Sequence, residues 1–362
     1  MKAVPLAFRG VLLGLVTSSL HAQGPILSTP GTATWATENL ASGGTRTIFT
    51  ITGNTVLDWN QLNLGNGSEL VFDFVSGESV VNNLTGSRPH RIDGTVSSNG
   101  LVGFFSPNAH LQVNGNITAK GVTIATLDVN PADFAGGNYA LSGGFGKRLL
   151  VGGEVTATEG DVVLAGRSVT IGTDARITAT GSALFAGGDD ATVVSGGERQ
   201  LNVVGTIGVF NHSGTTMASR VEVAAGESIV NNGRLDAGTS KIYLEVGQDG
   251  SISNELNGVI VGDAAFEGAF LDEGLIIAPY EGDILPVVND SRLKVPTLKR
   301  PDGSKVTTSK KLTYSAPMSA SSDAGRSAKR RSQQVAKVDS SKSLLNRSSF
   351  FGMRGSKTIA SR

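Results

Sequence analysis

Few residue groupings in this chain could do chemistry. Asp189-Asp190, within "AGGDDATV", is the one adjacent carboxylate pair within the repeats described below. Paired carboxylates beside an Arg or His base are what a polysaccharide lyase or hydrolase needs. Such an enzyme would add a Gly-His-Gly turn and an Arg-Ile-Lys strand, and the sequence has neither. Two solvated turn residues are the simpler reading. A Ca²⁺ site at the same pair would want a Gly/Asp nonapeptide repeat, which is missing. Beyond the N-terminal leader the histidines are His90, His110 and His212, without His-x-x-x-His spacing and without cysteine, which argues against zinc. "GGFGKR" from Gly143 resembles part of a phosphate loop, but Leu141 and Arg148 stand where Gly and Ser/Thr are required. No Gly-x-Ser-x-Gly elbow occurs. The expectation is a non-enzymatic protein with no cofactor, no metal and no small-molecule substrate.

The clearer chemistry is cationic. The 362 residues are formally neutral, with 31 basic and 31 acidic, but from Ser291 to Arg362 there are 17 Lys and Arg against three Asp, a net of +14. The residues before Ser291 therefore carry −14. "KRPDGSKVTTSKK" and "GRSAKRRSQQVAK", with Lys329, Arg330 and Arg331 at the densest point, suit phosphates on an anionic polymer. Rich in Ser and poor in large apolar residues, 291–362 buries too little to offset its ordering entropy and reads as a disordered tail.

At the other end, Lys2 and Arg9 flank a positive start, Gly10 to Val16 is apolar, and Leu20-His21-Ala22 offers a cleavage point. Residues 1–22 read as a secretory signal peptide, too short in its apolar run to span a bilayer. No other segment reaches membrane length. The exported chain has no cysteine, so packing and hydrogen bonds must hold it.

Residues 23–290 must supply the fold. Gly, Val, Thr, Ser and Asn abound, helical periodicity is scarce, and the composition is that of β structure. "GNITA" at Gly115, "GEVTA" at Gly153, "ARITA" at Ala175 and "GRLDA" at Gly233 share a pattern, and "GVIVG" at Gly258 is a looser copy. Their starts are separated by 38, 22 and 58 residues, which read as two, one and three periods near twenty. "DVVLAG" from Asp161 and "SALFAGG" from Ser182 keep the same beat. A period near twenty with one apolar β position between small or polar neighbours is that of a solenoid. Ile117, Val155, Ile177 and Leu235 should stack at about 4.8 Å in an internal column, each contributing roughly 1.5–3 kcal/mol when buried. The reading is all-β, a single-stranded parallel β-helix, against an ordinary β-sandwich as the other option. Its two open ends need covering. The segment from Gln23 to about Thr50 is the natural N-terminal cap, and Leu271 to Val288 closes the other end.

Before the repeats run "DWNQLNLGNGSELVFDF", "VVNNLTGSRPHRIDGTVSSNG", "FFSPNAHLQVNG" and "ITAKGVTIATLDVNPADFAGGNY". In order and spacing these stretches resemble the N-terminal secretion domain of filamentous-haemagglutinin-like exoproteins. The match is best over residues 57–139. It falls on Trp59, Asn83, Thr85, Gly86, Ile92, Gly94, Asn99, Gly100, Pro107, Asn108, Ala125, Thr126, Leu127, Asp128, Asp133 and Phe134. The family's Asn-Pro-Asn-Gly-Ile turn is here Ser106-Pro107-Asn108-Ala109-His110. The resemblance implies a right-handed parallel β-helix exported by two-partner secretion. It implies recognition by the POTRA domains of an outer-membrane barrel transporter, a cell-surface or extracellular location, and a role in adhesion. Asn83, Thr85, Gly86, Ser106, Pro107 and Asn108 become the candidate secretion motif. A host or envelope glycan or an anionic polymer is the expected partner. The alternatives are a β-helical polysaccharide-active enzyme, or an envelope protein binding polyanions through its basic tail.

Overall fold

The computed structural model describes residues 24–29, 31–143 and 146–280, together with the backbone of one further strand, Asp283–Val288. The signal peptide and the basic tail of the sequence reading lie outside these residues.

Strict alternation makes the strands. In Asn116–Ala119 and Glu154–Ala157 the apolar residues are buried and the polar ones face out. Such strands are half-buried, and the chain stacks them as a parallel β-helix with three faces. Face A holds nine parallel strands, from Asn63–Leu64 through His90–Ile92 and Leu111–Val113 to Ala269–Asp272. Face B runs from Thr45–Ile51 and Glu69–Phe74 to Leu275–Tyr280, ten strands deep, so the solenoid has about ten turns. Face C runs from Thr55–Trp59 through Ser79–Leu84, Leu101–Phe105, Gly121–Ala125 and Val162–Gly166 into the distal half of Val259–Glu267. The parallel registers exclude a sandwich.

The expected column is present. Ile117 pairs with Val155, Val155 with Ile177, Ile177 with Thr216, and Thr216 with Leu235. The repeat arithmetic needs one correction. "GNITA" and "GEVTA" lie on neighbouring turns, not two apart, and "ARITA" and "GRLDA" are two turns apart, not three. The surplus length is spent outside the solenoid, in two excursions that leave face C after Ala125 and after Gly187.

These excursions build a second layer. Asp128–Val129, Tyr139–Ser142, Asp190–Val193 and Leu201–Val204 form a four-stranded antiparallel sheet. Between the first two lies a short helix, Pro131–Gly136. Asn130 caps it by accepting from the Ala132 N–H at 3.1 Å, Pro131 suits the first turn, and Gly137 at φ 80° ends it. The excursion packs on the outer side of face C, which explains why Gly121–Ala125 and Val162–Gly166 are buried at every position. Phe105, Leu127, Phe134, Leu141, Val163 and Leu184 belong to this outer core.

The inner core carries a run of aromatics, with Phe49 and Phe72 stacked at 5.3 Å and Phe185 and Phe210 at 5.1 Å. At the start of the stack Ala33–Asn39 pairs antiparallel with Thr45–Ile51, and Ile26–Leu27 with Leu57 and Asp58. At the far end Asp283–Val288 pairs antiparallel with Leu275–Tyr280. Each of these pairings occupies an edge that would otherwise present bare N–H and C=O groups. No helix among the described residues is long and apolar enough to cross a membrane.

Candidate functional site

The six candidate secretion-motif residues come together at one place, the corner where face C turns into face A. Leu101–Phe105 ends there because Pro107 has no N–H to extend a ladder. Ser106 is wholly buried, and its hydroxyl donates to the Ala109 carbonyl at 2.9 Å, closing the turn from inside. Its own N–H donates to Ala125 on the next turn at 2.8 Å. Asn108 points back instead, its Nδ2 donating to the Thr85 carbonyl at 3.2 Å. Thr85 in turn donates its N–H, at 2.9 Å, and its hydroxyl, at 3.2 Å, to the Trp59 carbonyl. Three successive corners are thus tied by side chains, and Ser106 reaches a fourth.

Gly86 sits where no side chain fits, since a Cβ would lie 1.8 Å from the Asn60 carbonyl oxygen. Asn83, on the outer side of its strand, donates to Asp58 Oδ1 at 2.9 Å. Asn108 and Thr85 are the exposed members, Asn83, Gly86 and Pro107 are half-buried, and Ser106 is inaccessible. The corner presents an amide and a hydroxyl to solvent, while Ser106 spends its hydroxyl proton internally on the Ala109 carbonyl.

Two histidines brace the same region. His90 Nδ1 accepts the Leu62 N–H at 3.0 Å, and Nε2 lies 3.4 Å from the Gly86 carbonyl, so the proton sits on Nε2. Burial pushes the His90 pKa below its ordinary value. His110 Nδ1 accepts the Arg148 N–H at 2.9 Å, where the chain returns from the first excursion. Both hold backbone donors at strand entries.

The other sequence candidates separate. Asp189 is partly buried with its carboxylate 3.9 Å from Arg167, whereas Asp190 is exposed at the head of its strand. Among the described residues no three His, Asp or Glu side chains converge as a metal site would require. Gly143 and Gly146 have φ of 82° and 72°, as turn residues do. Lys329, Arg330 and Arg331 lie outside the described residues.

Three buried polar features escaped the sequence reading. Asn82, wholly buried, accepts from Trp59 Nε1 at 3.0 Å and donates to the Gly103 carbonyl at 3.1 Å. Glu222 is equally buried under the second excursion and accepts the N–H groups of Gln200 and Leu201 at 3.0 Å. Arg220 lies 2.6 Å and Arg199 3.7 Å from it, and both guanidinium groups lie over the Tyr243 ring. His212, Asn231, Asn254 and Asp272 form a chain through four turns. Only the register, unknown from sequence, brings such residues together.

No protein-family model matches the chain, and no curated protein sequence matches it. Among solved structures the chain is similar to the HMW1 secretion domain from Haemophilus influenzae. That likeness has a TM-score of 0.50 and 18% identity, and covers 72% of this chain and 76% of the other. At that identity the likeness is one of fold.

Proposed function

We propose that this protein is an exported, non-enzymatic β-helix that a POTRA-barrel transporter carries across the outer membrane, after which it acts in surface binding. The observation that carries the reading is the fold shared with a secretion domain, which covers about three-quarters of each chain. The clustering of Asn83, Thr85, Gly86, Ser106, Pro107 and Asn108 at one corner supports it, because these candidate positions, with Ser106 in place of the family's first Asn, then form one local unit. In the folded corner Ser106 is buried and Asn108 is engaged. The transporter would therefore read this segment before it folds. The signal peptide, 1–22, would deliver the chain to that point. Lys329, Arg330 and Arg331 would contact an anionic polymer or envelope glycan at the surface, with an affinity that falls steeply as salt is added.

The test is recovery of the full chain from strains with and without POTRA-barrel transporters. We expect the chain in the medium or on the cell surface in the first and in the periplasm in the second. Export undiminished in a strain lacking every such transporter would overturn the reading. In Pro107→Ala and Asn108→Ala variants, export should fall by more than the loss of folded protein accounts for.

A further inference from the structure

His212 closes one of the strands of face A, Val209–His212, with its ring turned into the core and 1% exposed. The same position on the next three turns is held by Asn231, Asn254 and Asp272. The four side chains are joined end to end. His212 Nδ1 lies 2.8 Å from Asn231 Oδ1, Asn231 Nδ2 donates to Asn254 Oδ1 at 2.7 Å, and Asn254 Nδ2 donates to Asp272 Oδ1 at 2.9 Å.

The chain has one direction. Both amides give their Nδ2 to the following turn, so each turns its oxygen to the preceding one, and His212 must carry a proton on Nδ1. Its Nε2, 3.0 Å from Thr216 Oγ1, is then the acceptor of a hydroxyl proton. Neutral His212 thus satisfies every member, with the carboxylate of Asp272 as terminal acceptor. Cooperative polarisation strengthens such a chain.

A protonated ring would keep oxygen partners at Asn231 and Thr216 but meets no opposite charge here. The preceding turn offers Ile171, face B offers Thr216, the following turn offers Asn231, and Phe210 stacks at 6.0 Å. Arg234 and Asp236 pair with each other on the outer side of face B. Glu255 lines the neighbouring corner groove, and Asp272 stands three turns away. Among the described residues no carboxylate is within ion-pairing distance of the imidazole. A groove of about 400 Å³, lined by His212, Asn211, Ser213, Asn232 and Glu255, runs beside the strand end, while His212 itself is 1% exposed.

We propose that the His212–Asn231–Asn254–Asp272 ladder is an acid-sensitive fastener of the C-terminal turns. With His212 neutral the turns from Val209 onward are locked together; with His212 protonated they open while the turns before Gly187 stay closed.

The sign follows from burial. His212 has its pKa lowered from 6.5 to about 4, chiefly by desolvation, with the Asn231 hydrogen bond working the other way. Between those values the opened state binds more protons, so closure weakens as pH falls below about 6.5, and the loss is complete near 4. Asp272 acts in the opposite sense, because burial raises its pKa and acid relieves its buried charge.

Hydrogen exchange of the full chain, followed by mass spectrometry at pH 7.5 and about pH 5 and corrected for intrinsic rates, tests this. Protection in Ser228–Asn231 and Ser251–Asn254 should fall about thirtyfold between the two, with no such fall in Gly121–Ala125, which lies on a turn holding neither buried histidine. His212→Asn, which repeats the residue of the next two turns, should keep the protection and remove the fall. Equal pH response along the whole wild-type solenoid would overturn the proposal without recourse to any variant. So would a His212→Asn protein that keeps the fall.

Discussion

A carbonyl oxygen, more than a torsion angle, selects glycine at the corner between faces A and B. Two-residue corners ending in Gly94, Gly115, Gly153, Gly214, Gly233 and Gly274 recur along the stack, and none of these glycines has positive φ. A Cβ on Gly115 would lie 1.9 Å from the Gly94 oxygen, and one on Gly153 2.0 Å from the Gly115 oxygen. Gly153→Ala should therefore cost roughly 1–3 kcal/mol or more, read as a lowered denaturant midpoint. Gly67→Ala, at φ 78° but with nothing within 4 Å of the added carbon, should cost about 1–2 kcal/mol. "ARITA" shows how the rule is escaped. The corner before Arg176 has four residues, 172–175, and the Ala175 side chain is buried in the core. The Gly-x-β-x-Ala pattern was thus legible as a repeat, while the reason for its glycine was not. That reason lies in an atom of the neighbouring turn.

At the scale of elements, the excursion is a lid with two fastenings. One is aromatic: Phe134 meets Phe105 edge-on at 5.5 Å and Tyr139 at 5.4 Å, and the Tyr139 hydroxyl bonds Thr123 at 2.8 Å. Gly103 stays bare because the Phe105 ring lies over it, 2.3 Å from where a Cβ would be. Phe134→Ala should cost about 3–5 kcal/mol and raise exchange in Tyr139–Ser142 before it affects the inner turns. The second fastening is Glu222. Its removal in Glu222→Ala leaves Arg220 and Arg199 without their buried partner and the Gln200 and Leu201 N–H groups without an acceptor. A loss of about 3–5 kcal/mol is expected, visible as a shifted unfolding midpoint. The strands of this layer were hard to foresee. Inserted between regular turns, they lengthened the apparent period and imitated turns that do not exist. The helix at Pro131–Gly136 was too short for any periodicity to show, though Asn130-Pro131 and Gly136-Gly137 were its start and stop signals.

At the scale of the molecule, stability is a sum over neighbouring turns with no covalent tie between them. The chain has no cysteine, so its melting temperature should be the same with and without a reductant, as calorimetry would show. Fold class was readable because a solenoid writes its period into the chain. The column Ile117, Val155, Ile177 and Leu235 followed from the shared Gly-x-β-x-Ala pattern, although the period miscounted the turns between them and Thr216 was not expected as its member between Ile177 and Leu235. The polar column from His212 to Asp272 was invisible for the complementary reason. Asn and Asp are the commonest corner residues, and only the register turns these inward.

The two excursions also set a timetable. A new turn needs only the turn before it, as Val162 meets Ala183, so a chain arriving N-terminus first can be laid down coil upon coil. Tyr139 is different, because its partner Val193 arrives about fifty residues later, and closing so long a loop is slow. Until then Tyr139–Ser142 lacks its second neighbour, and the outer side of face C is only partly covered. Growth of this fibre-like stack is therefore continuous on the inside and delayed on the outside, with arrival of residues 190–204 as the moment at which the delay ends.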